Sequence, residues 1–89
     1  MPAISILIKG KVQGVFFRAT ALKEAKKLGL TGWIRNTDAG DVEANVNGDS
    51  NNLKLFLDWC NTGPKDAIVE NVRSQEIPEV KFRDFIIRT

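Results

Sequence analysis

Apolar and polar residues alternate near the start of the chain: Ile4, Ile6 and Ile8 are separated by Ser5 and Leu7 and followed by Lys9, the period-two pattern of a strand with one strongly apolar face. A glycine-bearing loop follows, after which Phe17, Ala21, Ala25 and Leu28 recur at spacings of four, four and three. That spacing predicts one buried face of a helix, which Gly29 is suited to end. Residues 32–36 and 42–47 read as short strands, and Thr37, Asp38, Ala39, Gly40 and Asp41 between them favour a tight turn, so a hairpin is predicted. Asp49 or Ser50 can cap a second helix, in which Leu53, Phe56, Leu57 and Cys60 keep helical spacing until Asn61, Gly63 and Pro64 interrupt it. The remainder is predicted to be extended, with one strand over residues 68–77 and another over 82–88, beyond Pro78.

Strand, helix, two strands, helix and extended chain is the order of an α+β, ferredoxin-like split βαβ sandwich (βαββαβ). Two helices cover only one face, and polar residues on the other side of each strand suit an antiparallel sheet whose second face meets solvent. A chain of 89 residues has room for one core, burying roughly 60 to 65% of its unfolded surface. No linker or repeat divides it, so residues 1–89 are expected to form a single domain.

An apolar fraction of 43% and a charged fraction of 27% belong to an ordinary globular protein. A net charge of +2 is too small to mark a nucleic-acid or membrane surface by itself. Its distribution is more informative. No acidic residue precedes Glu24, whereas Lys9, Lys11, Arg18 and Lys23 all do, so this segment should attract anions. Cys60 is the only cysteine, which excludes an internal disulfide and fits a reducing compartment. No basic leader precedes an apolar run and residues 2–8 are too few to cross a bilayer, so a cytoplasmic protein is expected. Cys60 itself lies in an apolar helical stretch, where a buried thiol is expected.

The candidate chemistry lies in Gly10-Lys11-Val12-Gln13-Gly14-Val15-Phe16-Phe17-Arg18, which joins the first strand to the first helix. The unpaired N–H groups of a helix start bind anions, and Gly10 and Gly14 permit positive φ and a close approach of backbone to ligand. Successive amides there can form a cup for phosphate oxygens. Arg18 in the first helical turn opposes the helix dipole by roughly 0.3 to 1 kcal/mol unless an anion compensates it. A phosphate gripped by the guanidinium fork would do so. The competing reading is a plain glycine-containing turn with a solvated arginine.

Known phosphate chemistries narrow by subtraction. The Gly-Lys-Ser/Thr of a Walker loop is absent. Without histidine there is no phosphohistidine intermediate, histidine base or histidine metal ligand. Cys60 has no cradle loop and arginine after it, which argues against a cysteine nucleophile. Positioning and electrostatics remain. An acyl phosphate suits that limit, because its leaving carboxylate needs neither a general acid nor a metal.

Gly32-Trp33-Ile34-Arg35-Asn36 ends a strand just before the turn. Asparagine is often found there for backbone reasons alone, although its neutral amide can also accept a hydrogen bond from a water and so orient it. These two stretches, in this order, resemble the acylphosphatase family. The likeness continues through Ala25, Leu28-Gly29-Leu30, Val42-Glu43, Gly63-Pro64, Ala67, Val69, Phe82, Phe85, Ile87 and Arg88. The resemblance implies a ferredoxin-like monomer that hydrolyses the carboxyl–phosphate bond of a small-molecule acyl phosphate to a carboxylate and inorganic phosphate, without cofactor or metal. It further implies that Arg18 binds the phosphoryl group and Asn36 orients the attacking water, as the catalytic pair. The backbone amides of Gln13, Gly14, Val15, Phe16 and Phe17 would form the phosphate cradle. In one departure from the usual pattern, Ala39 stands before Gly40 where the family often has an acidic residue.

Three further readings carry less weight. Thr37 can support Asn36 or simply cap the turn. Trp33 and Phe16 can line the acyl end of the site or belong to the core, and Lys9 and Lys11 can draw in anions or be solvated. Two rival functions are an RNA-binding module, disfavoured because the first strand offers Ser5, Leu7 and Lys9 where stacking aromatics would be needed, and a domain that binds phosphate without turnover. No nucleic-acid or membrane partner is expected.

Overall fold

Ile6 and Ile8 are fully buried in β1 (Ala3–Lys11), an inner strand of a five-stranded sheet. The computed structural model describes residues 2–79 and 81–89. After β1 come α1 (Phe17–Lys27), β2 (Thr31–Asn36), β3 (Val42–Asn47), α2 (Ser50–Thr62), β4 (Ile68–Ile77) and β5 (Phe85–Ile87). The strands lie in the order β4-β1-β3-β2-β5.

The register puts Ile6 opposite Ala44, which in turn faces Ile34, and Ile8 opposite Val42. These residues share one face, and both helices cover it. Phe17, Ala21 and Ala25 of α1, with Leu53, Phe56 and Cys60 of α2, close one apolar cluster on it. The Phe56 ring meets that of Phe85 edge-on at 5.9 Å. On the other face, Arg35 pairs with Glu43 at 2.9 Å, and the Trp33 ring lies beneath the guanidinium groups of Arg35 and Arg88. Both hydrogen bonds of a Schellman ending close α1: Gly29 N–H donates to Lys26 O and Leu30 N–H to Ala25 O. Asp49, not Ser50, caps α2.

Two expectations need correction. The sheet is mixed, because β5 pairs parallel with β2. Since β4 runs antiparallel to β1, it ends at the side of the sheet where β2 begins. A chain entering from that side beside β2 must run with it. The last strand is also shorter than residues 82–88, spanning Phe85–Ile87.

Candidate active site

The two helices begin differently. At α2 the Asp49 carboxylate accepts hydrogen bonds from Asn51 N–H at 3.0 Å and Asn52 N–H at 3.4 Å. At α1 the cap position is Phe16, which supplies no side-chain hydrogen bond, and the first turn has no acidic residue. The first regular bond of this helix runs from Thr20 N–H to Phe16 O at 3.0 Å. The amides of Phe17, Arg18 and Ala19 therefore point out of the helix end without intrahelical partners.

The loop ahead of this end is shaped to add donors. Gly14 has φ 74° and Phe16 has φ 63° with ψ 22°, while Val15 between them is at negative φ. Alternation of left-handed with ordinary residues turns successive N–H groups toward one concave side, the geometry of an anion nest. For phenylalanine the left-handed conformation costs about 1–2 kcal/mol. The residue is 78% exposed, so packing does little to offset that strain. Strain held at such a position points to function. Phe17 follows, fully buried against the Trp59 ring at 5.3 Å, and anchors the helix start.

Arg18 and Asn36, from the two separate motifs, line one cleft of about 320 Å³ together with Gly14, Phe16 and Phe17. Among the described residues, no carboxylate pairs with Arg18. Asn36 projects from the end of β2, and its Oδ1 is buried without a hydrogen-bond partner among protein atoms. An acceptor left open in this way calls for a donor such as water. The cleft thus brings together uncapped amides, an unpaired guanidinium and an open acceptor. Such a set can hold a tetrahedral anion and a water beside it.

Not every side chain of the loop faces this cleft, although the cradle expected there is one of main-chain amides. The Val15 side chain is buried in the core. The Gln13 side chain turns away to donate to Thr37 O and Asp41 O, both at 2.8 Å. Gly10 is not part of the cup: it lies inside β1, pressed against Ile68 and Glu70 of β4. Conversely, Val12, Ala19 and Ile87 line the cleft and were not foreseen as site residues. Ile87 belongs to a three-residue strand, too short to carry a period.

Lys9 is engaged with Asp41 at 3.0 Å, whereas Lys11 is exposed. Thr37 serves its turn, its Oγ1 accepting from Asp41 N–H at 3.1 Å and its N–H donating to Asp41 O at 2.9 Å. Ala39 is exposed at the tip of this turn. Trp33 is buried and lies outside the cleft lining, unlike Phe16. Cys60 is a buried free thiol whose pKa is pushed up to about 12 by desolvation. Among the described residues, no group of three or more His, Cys, Asp or Glu side chains is placed to hold a metal, and no helix is long and apolar enough to cross a membrane.

The family model for acylphosphatase matches residues 4–87. The chain is 46% identical over 81 residues to an acylphosphatase from Marinobacter nauticus, covering 90% of this chain and 88% of that protein. The structure of an acylphosphatase from Coxiella burnetii superposes with a TM-score of 0.95 at 40% identity, covering 98% of this chain and 92% of that one. The crystal structure of acylphosphatase from Bacillus subtilis superposes with a TM-score of 0.96 at 32% identity, covering 100% of both chains.

Proposed function

The chain belongs to the acylphosphatase family, and from that premise we propose that Arg18 and Asn36 carry out its reaction in the cleft at the start of α1. As an acylphosphatase it hydrolyses the carboxyl–phosphate bond of an acyl phosphate to a carboxylate and inorganic phosphate. In this reading the phosphoryl oxygens sit in the cup of backbone amides from Gln13 to Phe17, with the Arg18 fork across them. The cup and the fork offset the charge spread over the equatorial oxygens in the transition state. Asn36 Oδ1 accepts a hydrogen bond from the attacking water and turns its lone pair toward phosphorus, and the proton that the water gives up stays on the phosphate product. The carboxylate leaves as a weak base, so no side chain needs to supply a proton, and no metal or other cofactor is required.

The observation that carries this reading is the convergence in one cleft of an unpaired guanidinium and a buried, unpartnered amide oxygen. The test is hydrolysis of an aromatic acyl phosphate in EDTA, beside a phenyl phosphate monoester as control, for the wild type and Asn36→Ala. Wild type should cleave the mixed anhydride and barely touch the monoester. Asn36→Ala should lose about 100-fold in kcat, the usual cost of one missing positioning group, with KM little changed. A normal kcat in that variant removes Asn36 from the mechanism, and activity abolished by EDTA but restored by a divalent ion defeats the metal-free route.

We further propose that residues 1–89 act as one domain and as a monomer in the cytoplasm, with small acyl phosphates as substrates and no nucleic-acid partner. The last point is supported by Trp33, whose ring lies under two guanidinium groups and offers no free stacking platform.

A further inference from the structure

We propose that Gln13 is a positioning residue: its side-chain amide clamps the turn after Asn36 and so sets the aim of the Asn36 amide. The inference rests on the reading of Asn36 as the group that holds the attacking water.

Gln13 Nε2 donates to Thr37 O and to Asp41 O, each at 2.8 Å. These two carbonyls belong to the two ends of one turn, which is also closed by Thr37 N–H on Asp41 O at 2.9 Å and Gly40 N–H on Thr37 O at 3.2 Å. Asn36 immediately precedes Thr37, and its cross-strand partner Val42 immediately follows Asp41. The clamp therefore grips both sides of the last rung of the β2–β3 pair, the rung that carries Asn36. A second fastening joins the same turn to β1, where Lys9 Nζ meets Asp41 Oδ2 at 3.0 Å.

Asn36 needs such support because its Oδ1 has no protein partner to orient it. The direction of its amide follows from the backbone at the end of β2, and Gln13 holds that backbone against the loop that begins the phosphate cup. The residue type fits the task. One amide nitrogen carries two N–H groups and can satisfy two carbonyls at once. A glutamate at the same length would place a carboxylate against two carbonyl oxygens, and a methionine would fill the space with no donor.

The experiment is a double-mutant cycle on the full chain: wild type, Gln13→Met, Asn36→Ala and the pair. Each is measured for kcat and KM on an aromatic acyl phosphate, for Ki of inorganic phosphate and for thermal stability. Gln13→Met should lower kcat about tenfold, leave the phosphate Ki within about twofold of wild type, and add no further loss in the Asn36→Ala background. Equal losses in both backgrounds, or a raised Ki with intact kcat, would show that Gln13 only shapes the loop, and would overturn the proposal. Normal kcat in Asn36→Ala alone would fail the reading of Asn36 instead, a result obtained with Gln13 untouched, and the inference would fall with it. Should Gln13→Met not fold, Lys9→Met releases the same turn from its other fastening. A loss of about threefold in kcat, seen only when Asn36 is present, is then expected, and the same loss without Asn36 would again overturn the proposal.

Discussion

Replacing Gly10 by alanine separates the architectural role of a glycine from a role at the phosphate cup. Gly10 sits at φ 134°, at a register shift in the β1–β4 ladder where Lys9 faces Asn71 and Gly10 faces Val69, leaving Glu70 as the extra residue. A methyl group there would run into Ile68 O and lie 2.8 Å from Glu70 N, and both of those atoms are backbone. No side chain can rotate to make room, so the two strands must part by about an ångström. Holding alanine at such a positive φ costs about 1–3 kcal/mol, and weakening one or two ladder bonds costs about 1 kcal/mol each. A loss of about 3 kcal/mol corresponds to a fall in Tm of about 12–24 °C for a domain of this size. Thermal unfolding by circular dichroism reads the fall, and inhibition by inorganic phosphate at 25 °C reads the cup. Gly10→Ala should unfold early while its folded fraction keeps wild-type KM and phosphate Ki. A Tm within a few degrees of wild type combined with a Ki raised many-fold would show instead that Gly10 shapes the cup.

Arg18→Lys keeps the charge and loses the fork, so kcat should fall and KM rise together, with kcat/KM down about 100-fold, or about 2.7 kcal/mol; steady-state kinetics near wild type would show that a point charge suffices. Phe16→Asn keeps the amide and suits the left-handed backbone better, so Tm should rise by a few degrees, from about 0.5–1 kcal/mol of relieved strain; a comparable fall would mean that the ring packs more than the residue's 78% exposure suggests. Cys60 gives a pH signature: its thiol is held neutral to about 12 in the fold against an ordinary 9.0. The raised native pKa means that this contribution is complete below about pH 9 and is lost as pH rises toward 12. The loss reaches about 2 kcal/mol midway and about 4 kcal/mol at the top. Urea midpoints from pH 7 to 10.5 should therefore fall more steeply for wild type than for Cys60→Ala, and parallel slopes would refute the burial argument.

What the sequence discloses and what it hides divide by distance along the chain. The alternation of Ile4, Ile6 and Ile8, the spacing of Phe17, Ala21 and Ala25, and the cap at Asp49 are each set by neighbours within a turn or two, so periodicity and capping rules reach them. Arg18 and Asn36 are legible as a helix start and a strand end for the same reason. Their meeting in one cleft depends on sheet order, which puts β2 beside β3 and β5 and not beside β1. Gly10 faces β4, far along the chain, and Gln13 reaches the turn at Thr37 and Asp41. In sequence both residues look like parts of a phosphate loop, because a positive-φ glycine is the same residue whether a ligand or a strand approaches it. The direction of β5 is hidden in the same way, since three residues show no period and nothing local says which neighbour they will run beside. Local pattern identifies the groups able to bind and to hold water, while contacts between distant segments determine their aim. Changes at Gly10 or Gln13 should therefore disturb the protein in ways that the motif alone does not forecast: the first through stability with binding intact, the second through turnover with binding intact.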